Sequence, residues 1–77
     1  MNEQEETIRK KILFYSQQNL AVHIKKHNNW FHNGVIKIIR DDHCILIDEK
    51  EGEMPIFFSE IFEVQKKEER KENGNNI

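Results

Sequence analysis

The chain has 77 residues, a formal net charge of −2 and a mean hydropathy of −0.83. One domain is the sensible count, and a domain this small is marginal alone unless disulfides, metals or self-association help it. The single cysteine, Cys44, excludes an internal disulfide and points to a reducing, cytoplasmic location; the charge argues against coating nucleic acid by bulk electrostatics, and no apolar run approaches the roughly 18 residues of a membrane span.

The first predicted element is an amphipathic helix from Asn2 to about Gln18. Ile8, Ile12 and Tyr15 recur at helical spacing, with Leu13 close beside them. Asn2 is the expected cap, with Glu5 three residues on reaching back. Glu3, Glu5 and Glu6, followed by Arg9, Lys10 and Lys11, suit the helix dipole.

From Asn19 to Gln65 the pattern changes to strands. "LAVHIKK" sets Leu20, Val22 and Ile24 against Ala21, His23 and Lys25, and "HNN" at 27–29 predicts a turn. "WFHNGVIKIIR" reads as a long strand in which Gly34 predicts a bulge or a sharp bend. Asp41 and Asp42 form a tight turn, "HCILIDE" a third strand, and "KEGE" the next turn. "MPIFFSE" and "IFEVQ" are two short strands separated by a kink at Ser59 and Glu60, with Pro55 placing the fourth strand at an edge or bulge. Connections this short make neighbouring strands antiparallel. The expectation is a mainly β fold over residues 1–65: an N-terminal α-helix, then a five-stranded, strongly bent antiparallel SH3-like barrel. Residues 66–77, "KKEERKENGNNI", are expected to be a disordered charged tail.

Adjacent apolar residues raise a packing problem. Trp30 and Phe31 point to opposite faces of a strand, so one belongs to the core and the other lies outside; Phe57 and Phe58 repeat the pattern. Ile38 with Ile39, and Ile45 and Ile47 beside Leu46, add to it. So much apolar surface outside one small core predicts an interface, here between copies of the chain.

The stretch from Val22 to Val64 resembles the Sm-like fold, which includes the Lsm and archaeal Sm proteins and bacterial Hfq. The shared features are a preceding helix, an Asn turn after strand one, the bend glycine Gly34, the "D-x-H" of Asp41 to His43, and a closing "I-x-x-V" from Ile61 to Val64. The resemblance covers roughly residues 7–64. It implies a homo-oligomeric ring of six or seven copies, closed by pairing the fourth strand of one copy with the fifth of the next. Ile56, Phe57, Phe58, Ile61, Phe62 and Val64 are then interface residues. It also implies binding of single-stranded RNA, with Asp41 ordering the loop, His43 stacking on a base, and Arg40 and Lys37 on phosphate. Ile45 occupies the position where the family carries Asn, and Phe57 to Ser59 replace its Arg-Gly or Lys-His pair. The spacing from Gly34 to Asp41 is one residue longer than the family's.

Other chemistry finds little support. The histidines His23, His27, His32 and His43, with Cys44, lack the paired spacing of a zinc site, and solvent-facing rings are expected. "DEKEGE", from Asp48 to Glu53, lacks a calcium-loop pattern and reads as a solvated turn. There is no nucleophile–base pair, phosphate-cradling loop or dinucleotide fingerprint. No enzyme activity, metal or cofactor is expected; the expected partners are the chain itself and single-stranded RNA. The alternative is a small-barrel protein-interaction module, ribosome-associated or an assembly factor, that docks a partner strand on its apolar edge. Residues 33–61 also resemble the C-terminal barrel of ribosome maturation factors.

Overall fold

The computed structural model describes residues 2–67: helix α1 (Glu3–Gln17), strands β1 (Ala21–Lys26), β2 (Phe31–Ile39), β3 (His43–Asp48) and β4 (Gly52–Phe57), a 3-10 turn at Phe58–Glu60, and β5 (Ile61–Lys66). Lys66, expected to open the charged tail, is instead the last residue of β5. The remainder of that tail, residues 68–77, lies outside the described residues.

Local chemistry sets both ends of α1. The Asn2 side chain accepts a hydrogen bond from the Glu5 N–H at 2.8 Å, and acidic residues fill the first turn. The basic residues fall mid-helix, and the last turn carries none. At the other end Asn19 takes a positive φ of 57°, Asn19 N bonds Ser16 O, and Leu20 N bonds Tyr15 O. That is a Schellman stop with Asn at the left-handed position. Ile8 and Ile12 are buried against the sheet and Tyr15 is half-buried, whereas Leu13 is exposed.

The five strands form one antiparallel sheet in the order β4-β3-β2-β1-β5. Its inner face carries Val22, Ile24, Ile36, Cys44, Leu46 and Ile56, which join Phe58, Ile61, Val64 and the helix residues in a single core. Gly34 is required by close approach: a Cβ there would lie 2.0 Å from the Ile47 carbonyl oxygen. The register shift occurs three residues later. Ile36 pairs with Leu46 and Ile38 with Ile45, so Lys37 is the extra residue of a bulge.

β4 and β5 are opposite edges of the sheet, yet only Phe58–Glu60 separates them. Four strand spacings of about 4.8 Å would hold them about 19 Å apart in a flat sheet, and three 3-10 residues rise only about 6 Å. The sheet must curl. The 3-10 turn bridges the gap, with Phe58 N bonded to Asp42 O and His27 N to Glu60 O.

Closure stops there. The barrel expected from the sequence is not formed: no ladder joins β4 to β5 among the described residues, and the curled sheet stays open. Two features mark the open edges. The bond from Phe58 N to Asp42 O fixes the alternation along the β3–β4 ladder, so Ile45 and Pro55 are a non-bonded pair and Pro55 turns its nitrogen, which has no N–H, to the free edge. β5 carries its own register shift opposite Lys25 and Lys26.

Two expectations about individual residues fail. Trp30 and Phe31 are both exposed, because the strand's inward positions are His32, Gly34 and Ile36. His32 is correspondingly buried rather than solvent-facing.

Candidate nucleic-acid interface

Alternation sends His23 and Lys25 of β1, Phe31, Asn33 and Val35 of β2, and His43, Ile45 and Ile47 of β3 to the outer face, away from the core. This face has two halves of different chemistry.

On the half built by β1, β2 and β5, two exposed rings flank one cation. Phe31 is 51% exposed and Phe62 50%. The Lys25 ammonium lies 5.9 Å from the Phe31 centroid and 5.3 Å from that of Phe62, so one cation serves both rings. The register explains this: Lys25 pairs with Phe31 on one side and Glu63 on the other, and the β5 bulge turns Phe62 toward it. His23 stacks on Phe31 at 4.8 Å and 23°, its Nδ1 donating to Asn33 Oδ1 at 2.6 Å. His27 meets Phe62 edge-on at 5.7 Å. A groove of about 200 Å³ runs between His23, Lys25, Phe31, Glu63 and Gln65.

The half built by β2, β3 and β4 is apolar and holds most of the sequence-predicted site. His43 is half-buried; its Nδ1 donates to Asp42 Oδ1 at 2.7 Å and its ring is tilted at 5.1 Å from Phe57. Asp42 is fully exposed, and the His43 hydrogen bond holds its carboxyl below the usual range. The acid that meets His43 is thus Asp42, not Asp41, which is exposed in the bend. The Arg40 carbonyl accepts from Arg9 Nε at 3.2 Å, tying the helix to this turn. Lys37 is paired with Glu53 and reaches across to β4 instead of standing free for phosphate. Around these residues Val35, Ile47, Pro55 and Phe57 are exposed and Ile38 and Ile45 half-buried, an apolar strip across three strands.

Of the six expected interface residues, Ile56, Phe58, Ile61 and Val64 are spent on the protomer's own core, and Phe57 and Phe62 are exposed. Unbonded backbone is still available at both edges. Ladder alternation turns Glu53, Pro55 and Phe57 outward on β4, and Val64 and Lys66 outward on β5. Cys44 is buried, and burial pushes its thiol up to about 12, so it is no nucleophile.

The sequence-predicted set omits Phe31, Lys25, His23 and His27. The signal that could have found them is local: Lys25 lies six residues before Phe31 across the "HNN" turn, which makes them cross-strand partners in a hairpin. No family model, curated protein or solved structure gives a match to this chain.

Proposed function

We propose that the chain is an Sm-like, RNA-associated protein that holds single-stranded RNA by base stacking and acts as a ring of six or seven copies. The observation that carries the reading is the outer-face array of Phe31, Lys25 and Phe62 flanked by His23 and His27. Exposed rings interleaved with cations are what sequence-tolerant binding of single strands requires, because every base has a π-face and every nucleotide a phosphate. His43 against Phe57 is a second stacking place on the same face. The strand order and the curl support a relation to the Sm-like fold with the sheet left open, and the Lys37 bulge takes up the one residue by which this strand exceeds the family pattern. Unbonded backbone at β4 and β5 supports ring closure by edge pairing.

The test is fluorescence anisotropy of labelled uridine- and adenine-rich oligoribonucleotides at low salt. Stacking is worth roughly 1–3 kcal/mol per base, so Phe31→Ala with Phe62→Ala is expected to weaken binding tenfold or more. His43→Ala reports the second place separately. Light scattering after size exclusion is expected to give six or seven times the 9.3 kDa chain mass. Absence of binding to any oligomer at low salt removes the RNA reading, and a monomer removes the ring.

A second reading rests on the apolar strip of Val35, Ile47 and Phe57. A protein-interaction module would cover it with a partner, and it predicts a monomer that binds no RNA.

A further inference from the structure

We infer that the cleft beneath the β1–β2 hairpin binds a guanidinium-type organic cation, with its flat face on Trp30 and its N–H donors on carboxylates that include Asp48 and Glu51. The cleft has a volume of about 320 Å³ and is lined by residues 30–33 of β2 and its lead-in and by residues 48–51 of the β3–β4 turn. It shares Phe31 with the groove over β1, and the rest of its lining is its own.

Its chemistry differs from that of the rest of the outer surface. Trp30, the chain's only tryptophan, is 66% exposed. Its backbone is held by bonds from Trp30 N to Asn28 Oδ1 and from Lys26 N to Trp30 O. A large ring on a fixed backbone, left largely in solvent, is a stacking surface without an occupant among the described residues. Three carboxylates share the cleft: Asp48, Glu49 and Glu51. Glu49 is bonded to Lys67, and Lys50 is the one cation among the lining residues. Asp48 is fixed in place, its Oδ2 accepting from Lys50 N and Glu51 N at 2.9 Å each. Phosphate is repelled here; a planar cation with several donors is favoured by ring and carboxylate together.

A second feature marks the same place. His32 lines the cleft, is 9% exposed, and its Nε2 has no hydrogen-bond partner among the described residues. Its Nδ1 lies 3.4 Å from Asp48 Oδ1, and in the neutral ring that pairing puts the proton on Nδ1 and leaves Nε2 an acceptor. A buried acceptor without a donor is costly. A guanidinium carries five N–H donors, more than two carboxylate oxygens use.

The experiment uses the full chain and the fluorescence of Trp30. Agmatine is expected to change the emission saturably; N-propylurea, which lacks both its guanidinium and its ammonium, and butylamine, which keeps only an ammonium, are each expected to do so at least tenfold more weakly. Glu51→Gln, an exposed turn residue, is expected to weaken agmatine at least tenfold with thermal unfolding unchanged. Asp48→Asn is followed by NMR, so that loss of fold is told from loss of ligand. A glycyl-arginyl-glycine amide that binds tighter than agmatine identifies an arginine side chain of a partner as the source of the cation; equal or weaker binding identifies a free small cation. No saturable change up to 10 mM agmatine, equal binding of N-propylurea or butylamine, or an unaffected Glu51→Gln overturns the proposal, as does guanosine binding in agmatine's place. None of these outcomes depends on RNA binding at Phe31 and Phe62, which is read with labelled oligomers.

Discussion

The inner and outer faces of this sheet are built from the same strands by the same alternation, and they have opposite fates. On β3, Cys44 and Leu46 are fully buried, while Ile47 between Leu46 and Asp48 is 38% exposed. The inner face is complete: helix, sheet and 3-10 turn fill it, and every large apolar side chain on it has neighbours. The outer face carries exposed apolar side chains, Phe31, Val35, Ile47 and Phe57, that nothing among the described residues covers. The faces differ both in composition, since the outer one mixes His23, Lys25, Asn33 and His43 with its apolar residues, and in what each meets. Inner substitutions should cost stability, and outer ones should cost binding.

The largest effect separating the faces belongs to Gly34→Ala. The added Cβ meets backbone, the Ile47 carbonyl, which cannot rotate aside as a side chain would. We expect a loss above about 4 kcal/mol, in the range kept for exceptional mechanisms. A domain of this length has on the order of 4–11 kcal/mol in total, so circular dichroism should find the variant largely unfolded. A cooperative melt close to that of the parent would show that the sheet does not fold back as tightly as described.

A smaller and sharper pair sits next to it. Leu46→Ala should cost about 2–5 kcal/mol in denaturant titration, the range for emptying a buried leucine site. Ile47→Ala, one residue on and facing out, should cost under about 1 kcal/mol in the protomer. If Ile47→Ala proves as costly as its neighbour, and the cost grows with protein concentration, the outer strip is covered by another copy.

The sequence made the inner face readable because period-2 alternation is a local signal. Val22 and Ile24 follow from it, and the helix cap at Asn2 is as local, whereas Ile56, expected at an interface between copies, is in the core. It also predicted five antiparallel strands in chain order. What it could not supply was where alternation breaks. The Lys37 bulge shifts half of β2 by one residue, and the β5 shift brings Phe62 to Lys25; both are decided by pairing with distant strands. Closure was misjudged for the same reason, since whether β4 reaches β5 depends on how far the sheet curls. At the candidate site, His43 is marked by the turn motif that carries the resemblance, whereas Phe31 and Lys25 belong to no motif and are joined only by the hairpin's register. Trp30 and Phe31 were assigned one inward and one outward place, and His32 took the inward one.

The smallest effect compares two carboxylates, one from each face. Burial pushes the Asp48 carboxyl up, but N–H bonds from Glu51 and Lys50, and then His32, outweigh it and leave the group below the usual carboxylate range. A carboxyl depressed on folding contributes stability that is present above its unfolded value near 4. That contribution is lost as pH falls through the lower folded value. Stability should therefore decline from about pH 5 downward, and Asp48→Asn should flatten that part of the curve. Asp42 is depressed too, by its hydrogen bond with His43, yet it is wholly exposed and water screens it. Asp42→Asn should leave the acid limb of the curve unchanged in urea titrations at stepped pH. Equal flattening by both variants would mean that Asp42 is not screened as its exposure implies, and that the outer face near His43 is covered in solution.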